Sequence, residues 1–199
     1  MPRKKLDPWF KAETDAIAAI DLARASERWD TLATEIESLQ KARAQRAGAA
    51  HNGKKVQLVQ SVEEIDAVKD GGRYLVQPPL VARNAALLEN ALKSSGISCV
   101  VACREPITNL GLCPIVALGS GVTVRIKVEE PENPQKPTCA WFDNALEELG
   151  NHVLEQLNTG ATEQRQLDYL LAHLPAIPTH VATYRAAIEI CNSLAHQSV

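Results

Sequence analysis

Aromatic side chains are scarce in this 199-residue chain: Phe, Trp and Tyr together make up 4 % of it. A core built from it rests on Leu, Ile, Val and Ala. Paired-cysteine motifs are missing as well. The five cysteines, Cys99, Cys103, Cys113, Cys139 and Cys191, are an odd number without CxxC spacing. They read as small buried thiols in a reducing compartment rather than a disulfide or metal framework. No run approaches the roughly 18 apolar residues of a membrane span. The basic start Met1-Pro2-Arg3-Lys4-Lys5 leads into Leu6-Asp7-Pro8-Trp9, not into the apolar segment of a signal peptide. A soluble, cytoplasmic protein is expected, with no membrane association.

Catalytic and metal motifs are equally hard to find. The histidines His51, His152, His173, His180 and His196 offer no pair at i, i+4 and no HExxH, so no metal is expected. Gly119-Ser120-Gly121 is too short for a nucleophile elbow and reads as a hairpin turn. Gly48-Ala49-Ala50-His51-Asn52-Gly53-Lys54-Lys55 has the spacing of a phosphate loop. However, Lys55 replaces the hydroxyl residue that holds Mg²⁺, and the segment joins a helix to a strand, the reverse of the working context. No cofactor is expected.

What the sequence does contain is a coordinated change of charge and hydrophobic period. Residues 1–55 carry eleven basic and eight acidic residues, with apolar residues at helical spacing. Residues 56–128 carry seven against six and switch to short β-rich runs. Residues 129–199 carry three against ten and return to helical spacing. The net charge of −3 gives no general attraction to nucleic acid, so any such binding is local.

Asp7-Pro8 marks a helix start, followed by Phe10, Ile17, Ile20 and Arg24 at heptad-like spacing. Ser26 restarts a second helix in which Trp29, Leu32, Ile36 and Leu39 form a narrow apolar stripe, as in a helical hairpin. Residues 47–54 read as a linker. Strands are expected at residues 56–60, 73–77, 97–103, 114–118 and 122–128, the third of them central because it is apolar on both faces. Between them, Ser61-Val62-Glu63-Glu64 is a capping box that opens a short helix, and residues 82–95 form another. Three prolines in residues 131–137 mark a stiff connector. Three amphipathic helices then follow, carrying Phe142 to Leu157, Leu167 to Leu174 and Val181 to Ala195.

The expected fold is α/β: a small mixed sheet of about five strands (β-α-β-α-β-β-β), flanked by an N-terminal helical hairpin and a C-terminal three-helix segment. Its expected divisions are residues 1–54, 55–129, 130–138 and 139–199. The leading functional expectation is a non-catalytic assembly or adaptor protein that makes protein–protein contacts, or self-associates, through its helical ends. Trp29, Leu32, Ile36 and Leu39 are the expected contact surface, and the acidic C-terminal third is expected to dock to a basic partner or to the chain's own N-terminal segment.

Two alternatives stand beside it. A nucleic-acid-associated factor would use Lys41, Arg43, Arg46, Lys54 and Lys55 to touch phosphates, weakly and without sequence preference. The same cluster would also suit an acidic protein partner. An enzyme or small-ligand sensor would place its site near Arg104, at the end of the central strand, where α/β sheets bind ligands.

Overall fold

A computed structural model describes residues 8–51 and 55–197. The seven helices are α1 (Pro8–Ala25), α2 (Trp29–Ala50), α3 (Val62–Ala67), α4 (Ala82–Ser94), α5 (Cys139–Glu155), α6 (Glu163–His173) and α7 (Val181–Gln197). The five strands are β1 (Val56–Val59), β2 (Gly72–Val76), β3 (Cys99–Arg104), β4 (Leu112–Leu118) and β5 (Thr123–Glu129). They lie side by side in sequence order, so β3 is central. The pairs β1–β2 and β2–β3 are parallel, and β3–β4 and β4–β5 are antiparallel. This is the mixed α/β architecture expected from the sequence.

Local chemistry explains the element ends. Ser61 Oγ accepts the Glu64 backbone N–H at 3.2 Å, while the Glu64 carboxylate reaches back to the N–H of Gln60 at 2.6 Å. The capping box therefore forms, displaced by one residue on its return arm. Thr138 and Thr162 cap α5 and α6 in the same way. The β4–β5 hairpin turns through Gly119-Ser120-Gly121, with Gly121 at φ +84°, a conformation that glycine adopts without steric cost.

Helix α1 ends in a Schellman turn rather than at a Ser26 restart. The Arg28 N–H bonds the Ala23 carbonyl at 2.9 Å, with Glu27 in the left-handed region at φ 50°. The second helix consequently begins at Trp29. It runs on to Ala50, through the first half of the segment expected to be a linker.

The sheet carries a different layer on each face. Tyr74, Val76, Cys99, Cys103 and Val116 point toward α4, with Ala85, Leu88 and Leu92. Leu75, Val100, Ala102, Cys113 and Ile115 point toward α5 and the C-terminal end of α2. A second core lies beyond the sheet, where α1 and α2 meet α6 and α7. The C-terminal helices therefore split their roles: α5 covers the sheet, while α6 and α7 pack with the N-terminal pair. No described helix is long and apolar enough to cross a membrane.

Glu27 holds a conformation that disfavours any side chain with a Cβ. Glu27→Gly is expected to stabilise the protein by about 1 kcal/mol, read as a raised urea midpoint at unchanged slope.

Candidate functional site

Helix α2 carries the residues around which the two ends of the chain meet. Burial of Arg43 and Arg46 is possible only because acceptors converge on them from distant segments. Arg43 Nε donates to Glu13 Oε1 of α1 at 2.9 Å. Its Nη1 donates to the Leu174 carbonyl at 2.9 Å and to the Tyr184 hydroxyl of α7 at 2.8 Å. The Tyr184 hydroxyl in turn donates to the Pro178 carbonyl at 3.0 Å. Arg46 pairs with the other oxygen of Glu13 and stacks over the Phe10 ring at 4.5 Å.

This corrects the expectation of a solvated basic patch at residues 41–55. Arg43 and Arg46 are interior structural cations, because Glu13 closes over both of them, and Leu174 and Tyr184 over Arg43, on the helix face that carries them. Lys41 stays on the surface, paired with Glu37 at 2.8 Å, and Lys55 is exposed. Lys54 and the Arg3-Lys4-Lys5 segment lie outside the described residues. Gly48 to Ala50, the first part of the phosphate-loop match, are helical. Their N–H groups therefore serve α2 rather than a phosphate.

The apolar stripe of α2 also differs from its expected role. Trp29, Leu32, Ile36 and Leu39 are all buried, in one cluster with Leu167, Leu170, Tyr184, Ala187 and Cys191 of the same chain. Trp29, Leu32 and Ile36 present no surface to a partner, and Leu39 is only 3 % exposed. The reason is that α6 and α7 supply the complementary apolar faces intramolecularly, and Arg24 joins α1 to α6 through a two-pronged pair with Asp168 at 2.7 and 2.9 Å.

What α1 leaves open is a groove. Its buried face runs through Glu13, Ala16, Ile20 and Ala23, which puts Ile17 outside the buried set. Between α1 and the α6 region lies a cavity of about 1740 Å³, walled by Phe10, Ile17, Ile20, Leu39, Leu171, Leu174 and Pro175. Lys93, Ser94 and Ser120 close one side of it, and Asp15, Asp21, Glu27 and Asp168 line its rim.

A second polar cluster lies at the carboxyl ends of the parallel strands. Arg104, the residue around which a ligand site was expected at the end of the central strand, is buried. Its Nη2 donates to Gln77 Oε1 and its Nη1 to the Pro134 carbonyl at 3.2 Å. Glu105 pairs with Arg125 of β5 at 2.7 Å. Neither Glu13 nor Gln77 stood out in the sequence. The one available signal was Glu13 at helical spacing with Ala16, Ile20 and Ala23, a charge on an apolar face.

His180, just before α7, is 1 % exposed. Its Nδ1 lies 2.7 Å from Thr183 Oγ1 and its Nε2 lies 3.2 Å from Asn151 Oδ1. The Asn151 oxygen can only accept, so Nε2 carries the proton and Nδ1 accepts from Thr183. Gly150 allows this packing: a Cβ there would lie 2.0 Å from the imidazole Cγ. Burial lowers the His180 pKa, and the Glu147 carboxylate at 3.5 Å raises it by less. The thiols of Cys99, Cys103, Cys113 and Cys191 are buried, and burial pushes them up to about 12 for Cys99 and about 11 for the other three. They are protonated at neutral pH and poor nucleophiles. Comparison with protein-family models, curated proteins and solved structures finds no match to this chain.

Removing Glu13 leaves two buried guanidinium groups without their shared carboxylate. Glu13→Ala is expected to cost about 3–5 kcal/mol in urea unfolding. The histidine gives a pH dependence. Its folded pKa lies below the unfolded value of about 6.5, so the unfolded chain binds the extra proton. Stability from His180 is present in full above about pH 6.5 and declines as pH falls through that value toward the folded pKa. Thermal unfolding across pH 7.5 to 5 is expected to show that decline, and His180→Gln is expected to flatten it.

Proposed function

We propose that this protein is a non-catalytic assembly protein that docks an amphipathic helix of a protein partner in the groove between α1 and the α6 region. The observation that carries this reading is the groove itself, of about 1740 Å³, in which apolar side chains such as Phe10, Ile17, Leu171 and Leu174 stand among charged ones of both signs. Small-molecule pockets span about 300–1,000 Å³, so this one suits a larger occupant. A helix laid in a groove is read through apolar anchors at i, i+3, i+4 and i+7. Phe10, Ile17, Leu171 and Leu174 offer walls for such anchors. Asp21 of α1 and Glu27 of the turn after it, both exposed and lining the groove, favour a basic residue toward one end of the partner helix. The contact surface therefore belongs to the helical ends of the chain, but to the groove, whose wall takes only Leu39 from the α2 stripe.

The nucleic-acid reading has lost two of its phosphate-contacting groups, since Arg43 and Arg46 are buried and paired. The strand-end cluster is a different kind of site, taken up below.

Selection of helical peptides against the intact protein tests the docking reading. Selected peptides are expected to carry an apolar stripe with a basic end. They are expected to bind Ile17→Glu at least tenfold more weakly than wild type and to bind Leu110→Glu, on an exposed loop outside the groove, unchanged. Binding insensitive to Ile17→Glu and to Ala172→Glu would rule the groove out. A dimer that dissociates in Ile17→Glu would name a second copy, rather than another protein, as the occupant.

A further inference from the structure

The parallel register pairs Val76 with Cys103, which brings the next residues, Gln77 and Arg104, side by side on the α5 face of the sheet. Arg104 is a buried cation with no carboxylate within ion-pair distance among the described residues. Proteins avoid that arrangement unless another group answers the charge. The Cys113 thiol beside it is protonated, with its pKa pushed up to about 11, and supplies no counter-charge. Gln77, 1 % exposed, gives its carbonyl oxygen to Arg104, and its Nε2 finds no acceptor. A guanidinium lacking a counter-anion and an amide N–H₂ lacking an acceptor thus sit together. Their position, the carboxyl end of two parallel strands, is where open α/β sheets bind ligands.

We propose that Arg104 and Gln77 form a binding site for the oxyanion of a small ligand, a carboxylate or a phosphate. In this structure the Pro134 carbonyl takes the place of a ligand oxygen on Arg104 Nη1. With ligand bound, its oxygens accept from Arg104 Nη1 and Gln77 Nε2, and Pro134 moves away. The segment suits that movement. Pro131 and Pro137 are buried and fix its ends, while Glu132, Asn133, Gln135 and Lys136 between them are exposed, so displacing Pro134 uncovers little apolar surface. Trp141 Nε1 donates to the Glu129 carbonyl at 2.9 Å, just before the segment, and reports on its position.

The test is an NMR titration of the intact protein, following the Gln77 side-chain amide and the Trp141 indole N–H. Sodium phosphate and sodium acetate are added in separate arms, at ionic strength held constant with sodium chloride. A saturable shift of both signals in at least one arm is expected, and which arm saturates tells phosphate from carboxylate. In Gln77→Met and in Arg104→Lys, followed through Trp141, the affinity is expected to fall at least tenfold. If Arg104→Lys does not fold, Gln77→Met decides alone. Absence of a saturable shift in both arms, or unchanged affinity in Gln77→Met, overturns the proposal. Neither result bears on the α1 groove, which is lined by other residues.

Discussion

A guanidinium group cannot be taken out of water unless its N–H donors find acceptors, and for Arg43 those acceptors come from three separate places in the chain. Glu13 stands thirty residues before it, the Leu174 carbonyl 131 residues after it, and the Tyr184 hydroxyl 141 residues after it. Each contact fixes a different element against α2: α1, the turn after α6, and α7. Around that centre the apolar stripe of α2 closes on Leu167, Leu170 and Cys191. Further along the same helix, Ala47 and Ala50 pack against the sheet with Phe142 and Leu149 of α5. One helix therefore belongs to both cores, and its polar centre sets how the N- and C-terminal segments lie on it.

The charge contrast along the sequence takes on a specific meaning in this arrangement. One ion pair, Arg24–Asp168, links the basic first third to the acidic last third and joins α1 to α6. Arg73–Asp143, at 2.8 Å, does the same for β2 and α5. The other charged pairs of the first third close within it, Glu13 with Arg43 and Arg46, Lys11 with Asp15 and Lys41 with Glu37. What is left for other molecules is the groove that α1 does not fill and the donor pair at the strand ends.

The sheet was largely readable from the sequence because strands, turns and caps are local. Ser61 and Glu64 announce a helix start, Gly119-Ser120-Gly121 announces a hairpin, and the doubly apolar run around Cys99–Cys103 announces the central strand. The helical ends were harder. In α1, alanine surrounds the larger side chains, so the hydrophobic period does not fix which face is buried; in α2 it marks the face but not what covers it. Ile17 and Ile20 look equivalent in sequence, yet Ile17 stays exposed while Ile20 is buried in the core. Arg43 and Arg46 read as solvated because the residues that neutralise and accept from them are remote. Arg104 stood out for its place at a strand end, but its tie to Gln77 depends on a register that sequence alone does not supply.

The central claim is that α1, α2, α6 and α7 form one cooperative unit around Arg43. Native-state hydrogen exchange measures this directly. The account predicts that the amides of Ile36 and Leu39 in α2 and of Ala187 and Cys191 in α7 open with a common free energy, and that Arg43→Met lowers all four together. An N-terminal hairpin whose amides exchange independently of α7, with Arg43→Met affecting only one of the two, would contradict it.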